Sequence, residues 1–117
     1  MLIVVYPDEF LSHHIARGIR RKGLDVRRFE SVRAAWMEMK SPSVSALVVP
    51  FEEPEFGRLG ALSEVRAEPT LAHAMVIVAK IDPDFDEILD AYGAGADLVL
   101  DLKDPEFATL ILKILRA

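Results

Sequence analysis

A chain of 117 residues, 51% hydrophobic and 28% charged, has the size and composition of one soluble globular domain, residues 1–117, with a single core. Its net charge of −5 argues against nucleic acid as a partner, because phosphate binding needs a basic surface. The absence of cysteine excludes disulfides and thiolate metal sites and fits a cytoplasmic location, and no apolar run is long enough to span a membrane.

Leu2 to Val5 is a short apolar run and predicts a first buried strand, without the basic lead of a signal peptide. After Tyr6-Pro7 the period changes. Asp8 is the expected N-cap of a helix whose stripe is Phe10, Leu11, His14, Ile15, Gly18 and Ile19, ended by Lys22-Gly23. Leu24 to Phe29 reads as a second strand, nearer an edge because Asp25, Arg27 and Arg28 interrupt it. Ser31 caps a second helix with Val32, Ala35, Trp36 and Met39 on one side.

Ser45 to Pro50 is the strand around which the rest is arranged, apolar on both faces and closed by a proline. Phe56 to Arg66 predicts a weaker helix, containing Gly57 and Gly60. Ala74 to Ala79 is a fourth buried strand. Asp82-Pro83 reads as cap and first helical residue of a helix burying Phe85, Ile88, Leu89 and Tyr92. Leu98 to Leu100 is a fifth strand. Asp104-Pro105-Glu106 repeats the start signal for a last helix carrying Phe107, Leu110, Ile111, Ile114 and Leu115.

Five strands alternating with five helices through short connections predict an α/β fold. The expected form is a flavodoxin-like, doubly wound, five-stranded parallel sheet in the order 2-1-3-4-5. In such sheets chemistry sits at the carboxyl edge of the strands, and the central strand delivers Pro50 there, with no nucleophile and no N–H.

Ala91-Tyr92-Gly93-Ala94-Gly95-Ala96-Asp97 precedes a strand, and Asp104-Pro105-Glu106 then opens the last helix. With Leu2-Ile3-Val4-Val5, Ile15-Ala16-Arg17 and Gly23-Leu24-Asp25-Val26, this pattern resembles, over nearly the whole chain, the receiver domain of two-component response regulators. The resemblance implies transfer of a phosphoryl group from a histidine kinase to an aspartate ending the third strand. It also implies an acidic pair holding Mg²⁺ after the first strand, a hydroxyl ending the fourth, and a lysine ending the fifth.

Carried over residue by residue, those groups are missing. The phosphoacceptor falls on Pro50. The acidic pair falls on Tyr6 and Pro7, with Asp8 one place late; the hydroxyl falls on Ala79 or Lys80, and the lysine on Leu102 or, with one deletion, Lys103. Val99 stands at the family's aromatic switch. The pattern reads as a degenerate pseudo-receiver, with no catalytic residue, no metal and no cofactor.

Ten acids gather in the loops of the carboxyl edge: Asp8, Glu9, Glu52, Glu53, Glu55, Asp82, Asp84, Asp86, Asp101 and Asp104. They read as helix caps and first-turn acids before they read as a cation site. Glu52, two residues past the strand on what reads as a flexible connection, is too loosely placed for in-line transfer. His13 and His14 are adjacent and cannot chelate together on a helix, His73 lies in a loop, and no Gly-rich loop follows the first strand to cradle a nucleotide.

The function expected is a phosphorylation-independent protein-interaction module in signal transduction, binding another protein or itself. Resemblance points to the fourth and fifth helices with the fifth strand, where Asp90, Tyr92, Val99, Asp101, Lys103 and Lys113 are candidate contacts. The basic stretch from Arg17 to Arg28 and the acidic rim, at opposite ends of the sheet, also allow head-to-tail contact. The rivals are a Mg²⁺-dependent phosphoacceptor using displaced carboxylates and a small-ligand sensor. The end at Arg116-Ala117, at the close of a helix, is where a cut from a longer regulator would fall.

Overall fold

The computed structural model describes residues 1–116; Ala117, where the sequence reading places a boundary, lies outside the described residues. In chain order the elements are β1 (Leu2–Val5), α1 (Glu9–Arg21), β2 (Val26–Phe29), α2 (Val32–Met39), β3 (Ala46–Pro50), β4 (Glu52–Glu53), β5 (Gly57–Arg58) and α3 (Gly60–Arg66). After a 3₁₀ turn at Pro69–Leu71 come β6 (Met75–Lys80), α4 (Phe85–Gly93), β7 (Leu98–Asp101) and α5 (Phe107–Arg116).

The main sheet has the order β2-β1-β3-β6-β7 with every pair parallel, which is 2-1-3-4-5 once the small β4–β5 hairpin is set aside. The inner strands are apolar on successive residues because both faces are covered. Ile3, Val5, Leu47, Val49, Val76 and Val78 face α2, α3 and α4. Leu2, Val4, Ala46, Val48, Ile77 and Leu100 face α1 and α5. The two helical layers are closed by Met39, Leu62 and Val65 on one side and Ile15, Ile19, Phe107 and Ile111 on the other, all buried. Gly18 lets α1 and α5 approach, since a Cβ there would lie 2.6 Å from the Phe107 ring.

Several boundaries and faces differ from expectation. The Phe56–Arg66 segment is not one helix: Gly57, at φ +74°, turns the β4–β5 hairpin, and α3 begins only at Gly60. Asp82 does not cap α4. It sits in the left-handed region at φ +51°, and Asp84 caps the helix two residues later in a full capping box with Glu87. In α1 the buried residues are Ser12, Ile15, Ala16 and Ile19, while Phe10 is 79% exposed. The largest departure is α4, whose expected buried stripe faces outward: Phe85, Leu89 and Tyr92 are 73%, 52% and 45% exposed, and Ala91 is the buried residue.

Candidate functional site

The tip of β3 is enclosed. Pro50 is buried, paired in register with Ala79, and the next residue, Phe51, donates its N–H to the Ala79 carbonyl at 3.1 Å. Phe51 is itself buried, and its carbonyl accepts the N–H of Leu59 at 2.6 Å, which folds the connection back over the strand end. The chain after β3 is therefore an ordered hairpin and not the flexible connection expected around Glu52. Within it Glu53 is buried and accepts the Phe56 N–H at 3.2 Å.

Two cations lie over the Phe51 ring: Arg58 at 5.0 Å and Lys80 at 5.9 Å from its centroid. Each also meets an acid of α4, Arg58 with Asp90 at 2.5 Å and Lys80 with Glu87 at 3.1 Å. The Asp90 hydrogen bond, more than the charges around it, holds Arg58 above its ordinary pKa. Glu87 is held below the usual carboxylate range, first by the Asp84 N–H and then by Lys80. The strand tip is thus fastened to the first turns of α4 through an aromatic ring and two ion pairs.

The remaining positions at this edge are Tyr6, Pro7, Asp8, Leu102 and Lys103. The Asp8 carboxylate caps α1 by accepting the Leu11 N–H at 2.9 Å. Leu102 is buried, and Lys103 reaches Asp82 at 3.4 Å. Tyr6 is half-buried, and burial, then the Asp8 charge, raises its hydroxyl pKa. This donor set does not fit a hard divalent ion, which takes about six oxygens in near-octahedral array. A proline, an alanine and a lysine stand where carboxylates and a hydroxyl would be needed. Among the described residues no three His, Cys, Asp or Glu side chains gather as a metal would require.

Most acids of the rim have local partners instead. Asp84 and Asp104 accept the N–H groups of Glu87 and Glu106, and Glu55 meets Arg33. Asp101 accepts the N–H groups of both Asp82 and Lys103 at 2.9 Å, so it staples two loops together.

These bonds also revise the outer face. Of the six candidate contacts there, Asp90, Asp101 and Lys103 are occupied within the chain. Lys113 is exposed in the last turn of α5, and Val99 is half-buried on β7. Tyr92 has a double role: its hydroxyl accepts the Val99 N–H at 3.2 Å, satisfying a donor of the edge strand, while its ring stays open to solvent. What the face chiefly offers is apolar. Phe85, Leu89 and Tyr92 lie at i, i+4 and i+7 on α4, with Leu110 of α5, 38% exposed, across the edge strand. Periodicity identifies Phe85, Ile88, Leu89 and Tyr92 as one stripe and assigns it to the core; of these only Ile88 is half-buried, and the other three are exposed.

No family model matches the chain, and no curated protein matches it in sequence. Solved structures do match. A candidate response regulator from Chloroflexus aurantiacus superposes with a TM-score of 0.85 at 20% identity, covering 97% of this chain and 94% of that one. A response regulator from Thermotoga maritima gives 0.80 at 18%, covering 99% and 97%. The receiver domain of a sensor histidine kinase from Pseudomonas aeruginosa, which has magnesium coordinated in its active-site cleft, gives 0.78 at 16%, covering 98% and 93%. The fold is that of response-regulator receiver domains.

Proposed function

We propose that this receiver-like chain acts in signal transduction without being phosphorylated and without catalysing a reaction. In this reading it is a cytoplasmic pseudo-receiver whose working surface is the α4–β7–α5 face, docking another protein or a second copy of itself. The observation that carries it is the α4 stripe: three large apolar side chains face solvent on a helix whose Glu87 and Asp90 are already paired within the chain. Patches of this kind mark interaction sites more often than chance exposure does. The strand tip supports the same reading, because a buried proline cannot form an acyl phosphate and the residues around it supply no metal site.

The test is association. Sedimentation of the full chain over a range of concentrations, alone and with captured partners, is expected to show a complex that Leu89→Asp abolishes while the melting temperature stays put. Retention of every complex by Leu89→Asp, and by the charge reversals Asp90→Lys and Arg20→Glu, would remove the face from consideration.

A further inference from the structure

Away from the β3 tip, between the ends of β1 and β2 and the first turns of α1, lies a cavity of about 310 Å³ lined by Tyr6, Glu9, Ser12, Arg28 and Glu30 among others. Strand alternation sends Tyr6 and Arg28 to the α1 side of the sheet, with Val4 and Val26.

Arg28 is half-buried, yet it belongs to none of the seven ion pairs among the described residues. Arg27, Arg33, Arg58 and Arg66 each meet a carboxylate. The Arg28 Nη1 instead donates to Ser12 Oγ at 3.3 Å. Ser12 is 2% exposed, on the inner face of α1 beside Ile15, Ala16 and Ile19. A polar pair therefore occupies ground that its neighbours fill with hydrocarbon. A guanidinium carries five N–H donors in a planar fork, and one long bond leaves most of them without a partner among the described residues, at the wall of the cavity. Tyr6 adds a half-buried hydroxyl that no hydrogen bond among the described residues engages.

We infer that this cavity binds a small monocarboxylate that also carries an ammonium group, an α-amino acid, with its carboxylate in the fork of Arg28 beside the Ser12 and Tyr6 hydroxyls. Bidentate pairing of arginine with a carboxylate is the strongest hydrogen-bonded contact available to the site. Glu9 and Glu30, both exposed, attract the ammonium group and repel doubly charged anions such as phosphate. The site does not rest on the reading of α4, because no residue of the α4–β7–α5 face lines it.

Calorimetric titration of the full chain with the standard amino acids, with lactate and with inorganic phosphate tests it. At least one amino acid is expected to bind, lactate more weakly, and phosphate not at all. Arg28→Gln is expected to lower the affinity about tenfold or more. Tyr6→Phe, which keeps the ring and removes only the hydroxyl, is expected to weaken binding while leaving the melting temperature of the free protein unchanged. Absence of heat with every amino acid, affinity untouched by both variants, or phosphate binding as tightly as the best amino acid would each overturn the assignment.

Discussion

Helices α1 and α4 open alike, each with an aspartate cap accepting an N–H in the first turn, and each carries apolar residues at helical spacing. They end differently. α1 buries Ile15, Ala16 and Ile19 against the sheet and α5, whereas α4 joins the core through Ala91 and turns Phe85, Leu89 and Tyr92 outward. The difference teaches that helical period identifies a stripe without saying what covers it. In α1 Ile15 and Ile19 are covered by this chain; in α4 Phe85, Leu89 and Tyr92 face solvent.

Truncation separates the two helices most sharply. Ile19→Ala in α1 removes packing from a fully buried site and is expected to cost about 2–5 kcal/mol in denaturant unfolding. Leu89→Ala in α4 is expected to stay within about 0.5 kcal/mol of the parent. A comparable loss at Leu89 would mean that the stripe is core after all, and the contrast would fail.

Glycine substitution sharpens the same contrast at smaller scale. Gly18→Ala drives a Cβ into the Phe107 ring and is expected to cost about 1–3 kcal/mol. Gly93→Ala meets nothing within 4 Å and is expected to be neutral or stabilising by up to about 1 kcal/mol. Chemical denaturation of both variants decides it.

At the helix start, Asp84→Ala breaks the capping box and is expected to cost about 1 kcal/mol, read as a lower melting temperature. The pH dependence follows from its partner. The Glu87 carboxyl has a lowered pKa in the folded chain, so its stabilisation is full above the ordinary glutamate value of 4.5. It fades as pH falls through the lower folded value. The stability difference between the parent and Glu87→Gln is therefore expected to be constant near neutrality and to shrink in acid. A difference that grows in acid would show the sign to be wrong.

The sheet was legible because β1, β3 and β6 are buried on both faces, so their continuous apolar runs admit little else. Its order came from alternation with short connections. The exchange of Asp82 for Asp84 as cap was not legible: it depends on the Asp101 carboxylate, from another strand, holding the Asp82 N–H in a left-handed turn. The burial of Phe51, in the connection past β3, was not legible either, because it needs the hairpin to fold back and bring Arg58 over the ring. Ser12 and Arg28 are sixteen residues apart, and only the parallel pairing of β1 with β2 brings them into contact. The positions of Tyr6, Pro50 and Ala79 at the carboxyl edge could be named in advance, since the strand ends fix them. The outward α4 stripe could not.

Whether this chain takes a phosphoryl group is decided at the tip of β3. Intact-mass measurement of the full chain after incubation with Mg²⁺ and a small acyl-phosphate donor examines that tip directly. The predicted spectrum is that of the untreated chain. A stoichiometric gain of one phosphoryl group, located on any acid of the carboxyl edge, would contradict it.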